Sequence, residues 1–138
     1  MSTPILPDVE ALVTEAVRAR LTAVRVVVDL PADWDAASPL VVAHRVGGAA
    51  PDPRFLDRAL IDVQCWHTDR RSASRLAREV RAVLVDACRM AFSNAEGSLS
   101  HFTEVSGPWA PAPGEHANLS RFIATYQITA RPKNTKEL

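Results

Sequence analysis

Histidine and cysteine are the side chains of this sequence that could bind a metal. There are four histidines, His44, His67, His101 and His116. No two of them stand four residues apart, the spacing that places two zinc ligands on one face of a helix. Cys65 and His67 share one face of a predicted strand, but two ligands do not close a metal site. We therefore expect core thiols, a histidine at the rim of the core, and neither a metal nor another cofactor.

Nucleophilic catalysis needs a serine or cysteine beside a base, commonly presented on a strained turn. The GxSxG motif that forms such a turn does not occur in the sequence. Ser106 and Gly107 follow a predicted strand, but no glycine precedes them and Pro108 comes next. Gly47 and Gly48 lead into Ala-Ala-Pro instead of a helix, so they do not form a phosphate-binding loop. We expect no catalytic residues and no enzymatic activity.

The composition indicates one small folded unit without a dominant charge. The 138 residues are 47% hydrophobic, which is enough for one compact core and too few for two ordinary domains. We expect a single domain over residues 1–138, with a folded core at 6–131 and flexible termini at 1–5 and 132–138. Sixteen basic residues balance sixteen acidic ones, so any charged partner must bind a local patch.

The amino terminus lacks a basic region followed by an apolar run, so we do not expect a signal peptide. No apolar stretch approaches the roughly 20 residues that span a bilayer. The two cysteines form no CxxC motif. An intracellular or virion protein with reduced thiols is the simplest interpretation.

The first half of the chain predicts one helix and two strands. Apolar residues at helical spacing after Pro7 predict an amphipathic helix that ends near Arg20. Valine-rich alternation at 24–30 and the apolar run 40–46 predict two strands, which we expect to form a hairpin with a long loop. Residues 47–57, with two glycines and two prolines, predict an exposed loop.

The second half predicts a strand, a long helix and two further strands. The apolar odd positions of 59–65 predict a strand with one face on the core, and residues 69–92 predict a helix with one apolar side. Residues 101–106 are a weaker strand candidate, and 107–120 predict a loop with three prolines. Alternation in 121–131 predicts the last strand.

These elements predict an α+β fold in the order α-β-β-β-α-β-β. We expect two layers, in which a mostly antiparallel sheet of four to five strands packs on two helices gathered on one face. The other face of the sheet would carry Leu60, Asp62, Gln64, Trp66, Ile123, Thr125, Gln127 and Thr129. Such a mixed face is either a contact surface or a half-wetted sheet face.

The long helix carries Arg71, Arg75 and Arg78 on the side opposite its apolar residues. Arginines at this spacing could bind nucleic-acid phosphates. Asp69 and Glu79 lie on the same helix, which favours a solvated face or a surface that forms salt bridges with another subunit.

Large aromatic residues stand in the predicted loops. Trp34, Phe55 and Trp109 lie in loops bounded by prolines, and Trp66 lies on the outer face of the third strand. A tryptophan in a loop either anchors an interface or folds back over an edge of the core. Three such residues together favour an interface.

Seven segments follow one another between Leu6 and Arg131: PDVEALVTEAVRARL, RVVVDLP, LVVAHRVGG, ALIDVQCWH, a helix beginning near Arg70, GPWAPAP and RFIATYQITAR. In this pattern the chain resembles the tail terminator and tail-to-head joining proteins of long-tailed, siphovirus-type bacteriophages. No single motif is diagnostic, and the resemblance covers nearly the whole chain.

The resemblance implies a virion protein of the tail or neck, present in the host cytoplasm during assembly. It implies a homo-oligomeric ring, a hexamer, that caps the tail tube at its final length and joins the tail to the head. The partners would be the tail tube protein and a head-closure or neck protein. DNA would pass through the lumen without sequence-specific binding, and no membrane would take part. The family has no catalytic residues to carry over.

In such a ring we expect the aromatic residues to contact the ring or the tube and the arginines to meet acids on a neighbour. The expected interface residues are Trp34, Phe55, Trp66, Trp109, Arg71, Arg75 and Arg78. Two alternatives stay open: a head-closure or other neck connector, and, in a different class, a small nucleic-acid-binding module that uses the arginines.

Overall fold

The computed structural model describes residues 2–32, 39–112 and 118–133. It contains two helices and five strands in the predicted order α-β-β-β-α-β-β. The helices are α1 (Val9–Arg20) and α2 (Arg70–Arg89), and the strands are β1 (Arg25–Val27), β2 (Leu40–Asp52), β3 (Leu56–His67), β4 (Gly97–Trp109) and β5 (Ser120–Pro132). The predicted α+β class and element order are therefore confirmed.

Both helices begin at an aspartate that caps the first turn. Asp8 accepts a hydrogen bond from the backbone N–H of Ala11 at 3.1 Å, and Asp69 accepts one from that of Ser72 at 2.8 Å. Each bond satisfies a backbone donor that has no partner within the helix. The bond from Ser72 also lowers the pKa of Asp69, because it favours the charged carboxylate.

The five strands form one sheet in the order β1-β2-β3-β5-β4. Three neighbouring pairs are antiparallel, but β1 and β2 are parallel, with Val26 opposite Val41. The predicted hairpin between these two strands is therefore wrong. Apolar alternation is the same in either direction along a strand, so it does not fix strand direction. The connection 28–39 also has about the dozen residues that a parallel crossover needs.

The second and third strands are longer than predicted and form a hairpin with each other. The expected loop at 47–57 is wrong, because β2 continues to Asp52 and β3 begins at Leu56. Gly48 adopts a φ of 99°, within a stretch where the register of the two strands shifts. A glycine in that conformation bends a strand at a bulge without ending it. Pro51 is tolerated because β1 pairs with β2 only up to Val42, which leaves an open edge.

The fourth strand likewise extends beyond its predicted end. The expected loop at 107–120 is shorter, because β4 runs through Pro108 to Trp109, which lies opposite Ile123 of β5. This strand is the outer edge of the sheet, where a proline does not interrupt a ladder of hydrogen bonds on its free side. Trp109 is therefore at the end of an edge strand and not in a loop.

The core lies between the sheet and the two helices, which pack on one face as predicted. The residues that the sequence pattern places on this face are all buried. They are Ala59, Ile61, Val63 and Cys65 on β3, Ala73, Leu76, Ala77, Val80, Val83, Leu84 and Ala87 on α2, and Phe122, Ala124, Tyr126, Ile128 and Ala130 on β5. Tyr126 is completely buried, with its ring centroid 4.8 Å from that of Phe102. Burying a large apolar side chain contributes about 1.5–3 kcal/mol.

A partly buried ion pair joins β2 to β3. The guanidinium of Arg45 donates two hydrogen bonds to the carboxylate of Asp57, at 2.6 Å and 2.9 Å. Its Nε donates to the carbonyl of Gly47 at 2.9 Å, and its backbone N–H donates to Glu10 of α1 at 2.7 Å. The bond to Asp57 is the main reason why the pKa of Arg45 is raised. This network joins two strands and a helix at one point.

We predict that Gly48→Ala lowers the free energy of unfolding by about 2 kcal/mol. A φ of 99° costs an L-residue roughly 1–2 kcal/mol, and the added Cβ would overlap the carbonyl oxygen of Arg58. Gly47→Ala is the matched control, because its Cβ would meet only Leu60 at 3.8 Å. Urea unfolding of both variants measures the difference. Equal midpoints for the two variants would contradict this account of the bulge.

Candidate assembly interface

The three arginines predicted on the helix line a groove beside α2. This groove has a volume of about 690 Å³, with Ala23, Val24 and Pro39 on one side. Its other side is formed by His67 and by the α2 residues Arg71, Ser72, Arg75, Leu76, Arg78 and Glu79. We call it the arginine groove. Positions 71, 75 and 78 follow one face of a helix at i, i+4 and i+7, so the fold brings all three predicted arginines into one surface.

The cations of the arginine groove are weakly engaged within the subunit. The Nε of Arg75 lies 3.5 Å from Glu79, and both side chains are largely exposed. The Nε of Arg78 donates to the hydroxyl of Ser74 at 3.4 Å. Exposed pairs of this kind contribute roughly 0–1 kcal/mol. Their charges are therefore available to a partner at little cost to the fold.

Two of the predicted aromatic residues are exposed, at separate places. Phe55 is 56% exposed in the β2–β3 turn, where the guanidinium carbon of Arg54 lies 5.0 Å from the centroid of its ring. Trp109 is 51% exposed at the end of β4. The register places Phe55 near the end of the sheet where β5 finishes and Trp109 near the end where β5 begins. The structure does not bring them together, and Trp34 lies outside the described residues.

Trp66 is covered within the subunit. It is 7% exposed and packs with Leu40 and Val42 in a small cluster on the helix-free face of the sheet. The guanidinium carbon of Arg121 lies 5.0 Å from the centroid of its ring, a cation–π distance. Its role in subunit contacts stays a prediction, and any such role would require contact with a ring that is already packed.

The rest of the helix-free face has mixed burial. Thr125 donates its hydroxyl to a carboxylate oxygen of Asp62 at 2.7 Å, which links two neighbouring strands. The half-buried residues of this face include Leu60, Asp62, Gln64, Ile123, Thr125 and Gln127. A role for this face as a contact surface stays a prediction.

Sequence reasoning missed a second charged surface, at the opposite end of the helices. Glu96 accepts a hydrogen bond from the backbone N–H of Asp8 at 3.1 Å, and Glu15 accepts one from the side chain of Asn94 at 2.8 Å. We call Asp8, Glu15 and Glu96 the carboxylate corner. The corner joins two parts of the chain that are distant in sequence, so no local pattern could have indicated it.

The two thiols are buried and separate from both charged surfaces. Burial raises the pKa of Cys65 to about 12 and that of Cys88 to about 11. Because the thiolate is the reactive form, these values disfavour nucleophilic chemistry and metal binding. Within residues 2–32, 39–112 and 118–133, no group of three His, Cys, Asp or Glu residues could hold a metal ion. Neither helix is long and apolar enough to cross a membrane.

Exposed aromatic rings and surface charges of both signs on a two-layer α+β subunit favour contacts with other subunits. The chain is a member of the phage tail termination protein family, whose sequence model matches residues 5–137. It is therefore a tail-related structural protein of a phage-type virion.

A solved structure supports the same fold. A chain of the structure described as "Virion of native gene transfer agent (GTA) particle" is similar to this protein with a TM-score of 0.65 and 19% sequence identity. The similarity covers 88% of this chain and 93% of that chain. No curated protein sequence matches this chain.

Proposed function

We propose that this protein is the terminator of a phage-type tail and works without catalysis. In this proposal it forms a homo-hexameric ring that caps the tail tube at its final length and then joins the tail to the head. The family match over residues 5–137 is the observation that carries the proposal. The partners are the tail tube protein on one side and a head-closure or neck protein on the other, and DNA passes through the ring lumen.

The surface of the subunit supports assembly into a ring. A closed ring needs two different patches on each subunit that fit one another. In this proposal the arginine groove and the carboxylate corner are two such patches, and the exposed rings of Phe55 and Trp109 supply apolar contacts at other places. The balanced formal charge lets several copies pack without strong mutual repulsion. In this proposal Arg71, Arg75 and Arg78 meet acids on a neighbouring copy.

Deleting the gene from a phage that carries it tests the proposed function. We expect tails longer and more variable than normal, with heads left unattached, and normal particles when the wild-type chain is supplied in trans. Electron microscopy measures the tail lengths, and an antibody label should locate the chain at the head-proximal end of the tail. Tails of normal length without heads would instead indicate a neck connector. Normal particles in the absence of the chain would refute the proposal.

A further inference from the structure

Two charged surfaces of the helix layer lie at opposite ends of the subunit. Glu96 of the carboxylate corner precedes Gly97, which pairs with Pro132 at the end of β5. His67 of the arginine groove pairs with Ser120 at its beginning. At ~3.3 Å per strand residue, these two ends of β5 are roughly 40 Å apart. Among the described residues, no ion pair joins the groove arginines to the corner acids within one subunit.

The carboxylate corner is held in place by hydrogen bonds to backbone and amide groups. The loop before β4 is tied to α1, because Glu96 accepts from the backbone N–H of Asp8 and Asn94 donates to Glu15. Asn94 also accepts from the backbone N–H of Glu96 at 2.8 Å, which orders this loop. In the part of the chain that the structure describes, these three acids form no ion pair with an arginine or lysine.

Two arginines near this end of β5 lie on the other face of the sheet. Arg131 is the nearest arginine along β5, but it follows Ala130, which is buried toward the helices. Successive side chains of a strand point to opposite faces of the sheet, so the side chain of Arg131 lies on the helix-free face. Arg58 follows the buried Asp57 on β3, so its side chain also lies on the helix-free face.

The helix layer also carries Arg18, which donates to the carbonyl of Val26, and Arg20 and Arg89, which both pair with Asp86. These arginines are thus engaged with partners other than the corner acids.

We infer that the carboxylate corner of one copy docks in the arginine groove of the next copy. This inference rests on the proposed ring and names the surfaces that would close it. Contact between two different patches on identical subunits is head-to-tail, which is the kind of contact that generates rings. The contact would place three acids beside three arginines, of which Arg75 has an exposed pair with Glu79 within the subunit.

A second copy fits the groove better than a nucleic acid does. Glu79 lies among the arginines, 3.5 Å from Arg75, and would repel a row of phosphates. The carboxylate corner offers a few separate acids in place of a continuous row of phosphates, so fewer negative charges would lie beside Glu79. Arginine binds carboxylates through two parallel hydrogen bonds, so the groove has the right donors for this partner.

Charge exchange between the two surfaces tests the inference. The groove variant carries Arg75→Glu and Arg78→Glu, and the corner variant carries Glu15→Arg and Glu96→Arg. Asp8 is left intact because it caps α1. The matched control is Arg58→Glu with Arg131→Glu, which changes the net charge as much as the groove variant does but on the helix-free face. Each chain is supplied to the phage that lacks the gene, and circular dichroism verifies folding.

We expect the groove variant and the corner variant each to lose tail termination while the control retains it. A chain that carries all four exchanges should regain termination, because its acidic groove meets a basic corner. The two failing variants supplied together should also regain it, since they can alternate around a ring with an even number of subunits. Recovery in these two cases is a result that a purely destabilising effect cannot produce.

Failure of the inference is distinguishable from failure of the proposed function. If the wild-type chain terminates tails and the groove variant does so equally well, the contact is wrong and the function stands. The inference is also overturned if the four-exchange chain folds but does not recover termination, because the arginines then meet another partner, such as the tube protein or DNA. If the wild-type chain does not terminate tails, the proposed function itself fails.

Discussion

Replacing Arg45 with methionine is expected to lower the free energy of unfolding by about 3–5 kcal/mol. The side chain of Asp57 is only 9% exposed. The guanidinium of Arg45 donates one hydrogen bond to each oxygen of the Asp57 carboxylate. Methionine fills a similar volume but leaves that carboxylate buried without a cation. A domain of this size has roughly 5–15 kcal/mol of stability, so the variant would approach the limit of folding.

Replacing Asp57 should lower the free energy of unfolding by less than replacing Arg45 does. In Asp57→Asn the guanidinium of Arg45 loses its carboxylate, but that side chain is 32% exposed and can hydrogen-bond to water. It also keeps its bond to the carbonyl of Gly47. We expect a loss of about 1–3 kcal/mol for Asp57→Asn. Comparing the loss of unfolding free energy in the two variants therefore shows which residue is more destabilising when it is left without its partner.

Urea unfolding of the two single variants and of the double variant Arg45→Met/Asp57→Asn measures these effects. The double variant should be more stable than the sum of the single losses predicts, because it leaves no buried charge. Two single variants of equal and small effect would show that water reaches Asp57 and that the pair contributes little. The control is Arg54→Met, which removes an exposed pair with Asp52 in the neighbouring turn.

Hydrophobic periodicity in the sequence predicts the buried layer of this fold but not all of its strand pairing. The alternation along β3 and β5 and the apolar side of α2 give the correct core residues, because burial on one face leaves a direct imprint on residue type. The residue pattern does not show whether β1 runs parallel or antiparallel to β2, since apolar alternation is the same in both directions. Residue pattern therefore indicates which side of a strand is buried and not which neighbour it pairs with.

The sequence predicts the ends of β2 and β4 too early, because glycine and proline often end a strand. Both residues interrupt a central strand, but on an open edge they are compatible with a continued strand. Gly48 forms a bulge in β2, and Pro108 lies in the outermost strand β4. Whether a strand is central or at an edge is decided by the tertiary fold. Trp109, predicted in a loop, therefore lies at the end of an edge strand, where it is 51% exposed. Its role in contacts stays a prediction.

The candidate interface shows the same division between local and tertiary information. Helical spacing places Arg71, Arg75 and Arg78 on one surface, and in the structure all three line one groove. The carboxylate corner combines Asp8 with Glu96, residues separated by most of the chain. Its existence depends on how the loop before β4 meets the start of α1. A single sequence contains no periodic signal for such a meeting.

Alkaline pH is expected to unfold the protein, because its ionisable core groups bind their protons more tightly when folded. Burial raises the pKa of Cys65 to about 12 and of Cys88 to about 11, from 9.0 in both cases. Burial also raises the pKa of Tyr126 above its ordinary value of 10.0. Each of these groups is neutral when protonated, so the apolar core favours the protonated form.

The sign of the effect follows from these shifts. The folded-state pKa values lie above the unfolded ones, so the unfolded chain releases protons first as the pH rises. The stability that these groups contribute is complete below about pH 9 and is lost progressively as the pH rises toward 12. One pKa unit corresponds to about 1.4 kcal/mol, so Cys65 alone accounts for roughly 4 kcal/mol by pH 12.

Unfolding free energies between pH 8 and pH 11, measured in a reducing buffer, test this expectation. Wild-type protein should lose stability steadily above pH 9, whereas Cys65→Ala should lose less over the same interval because one titrating group is gone. Tyr126 is the single tyrosine of the chain, so tyrosinate absorbance follows it alone. We expect this absorbance to appear together with unfolding and not before it. A stability gap between the wild-type protein and Cys65→Ala that stays constant with pH would show that the thiol titrates equally in both states.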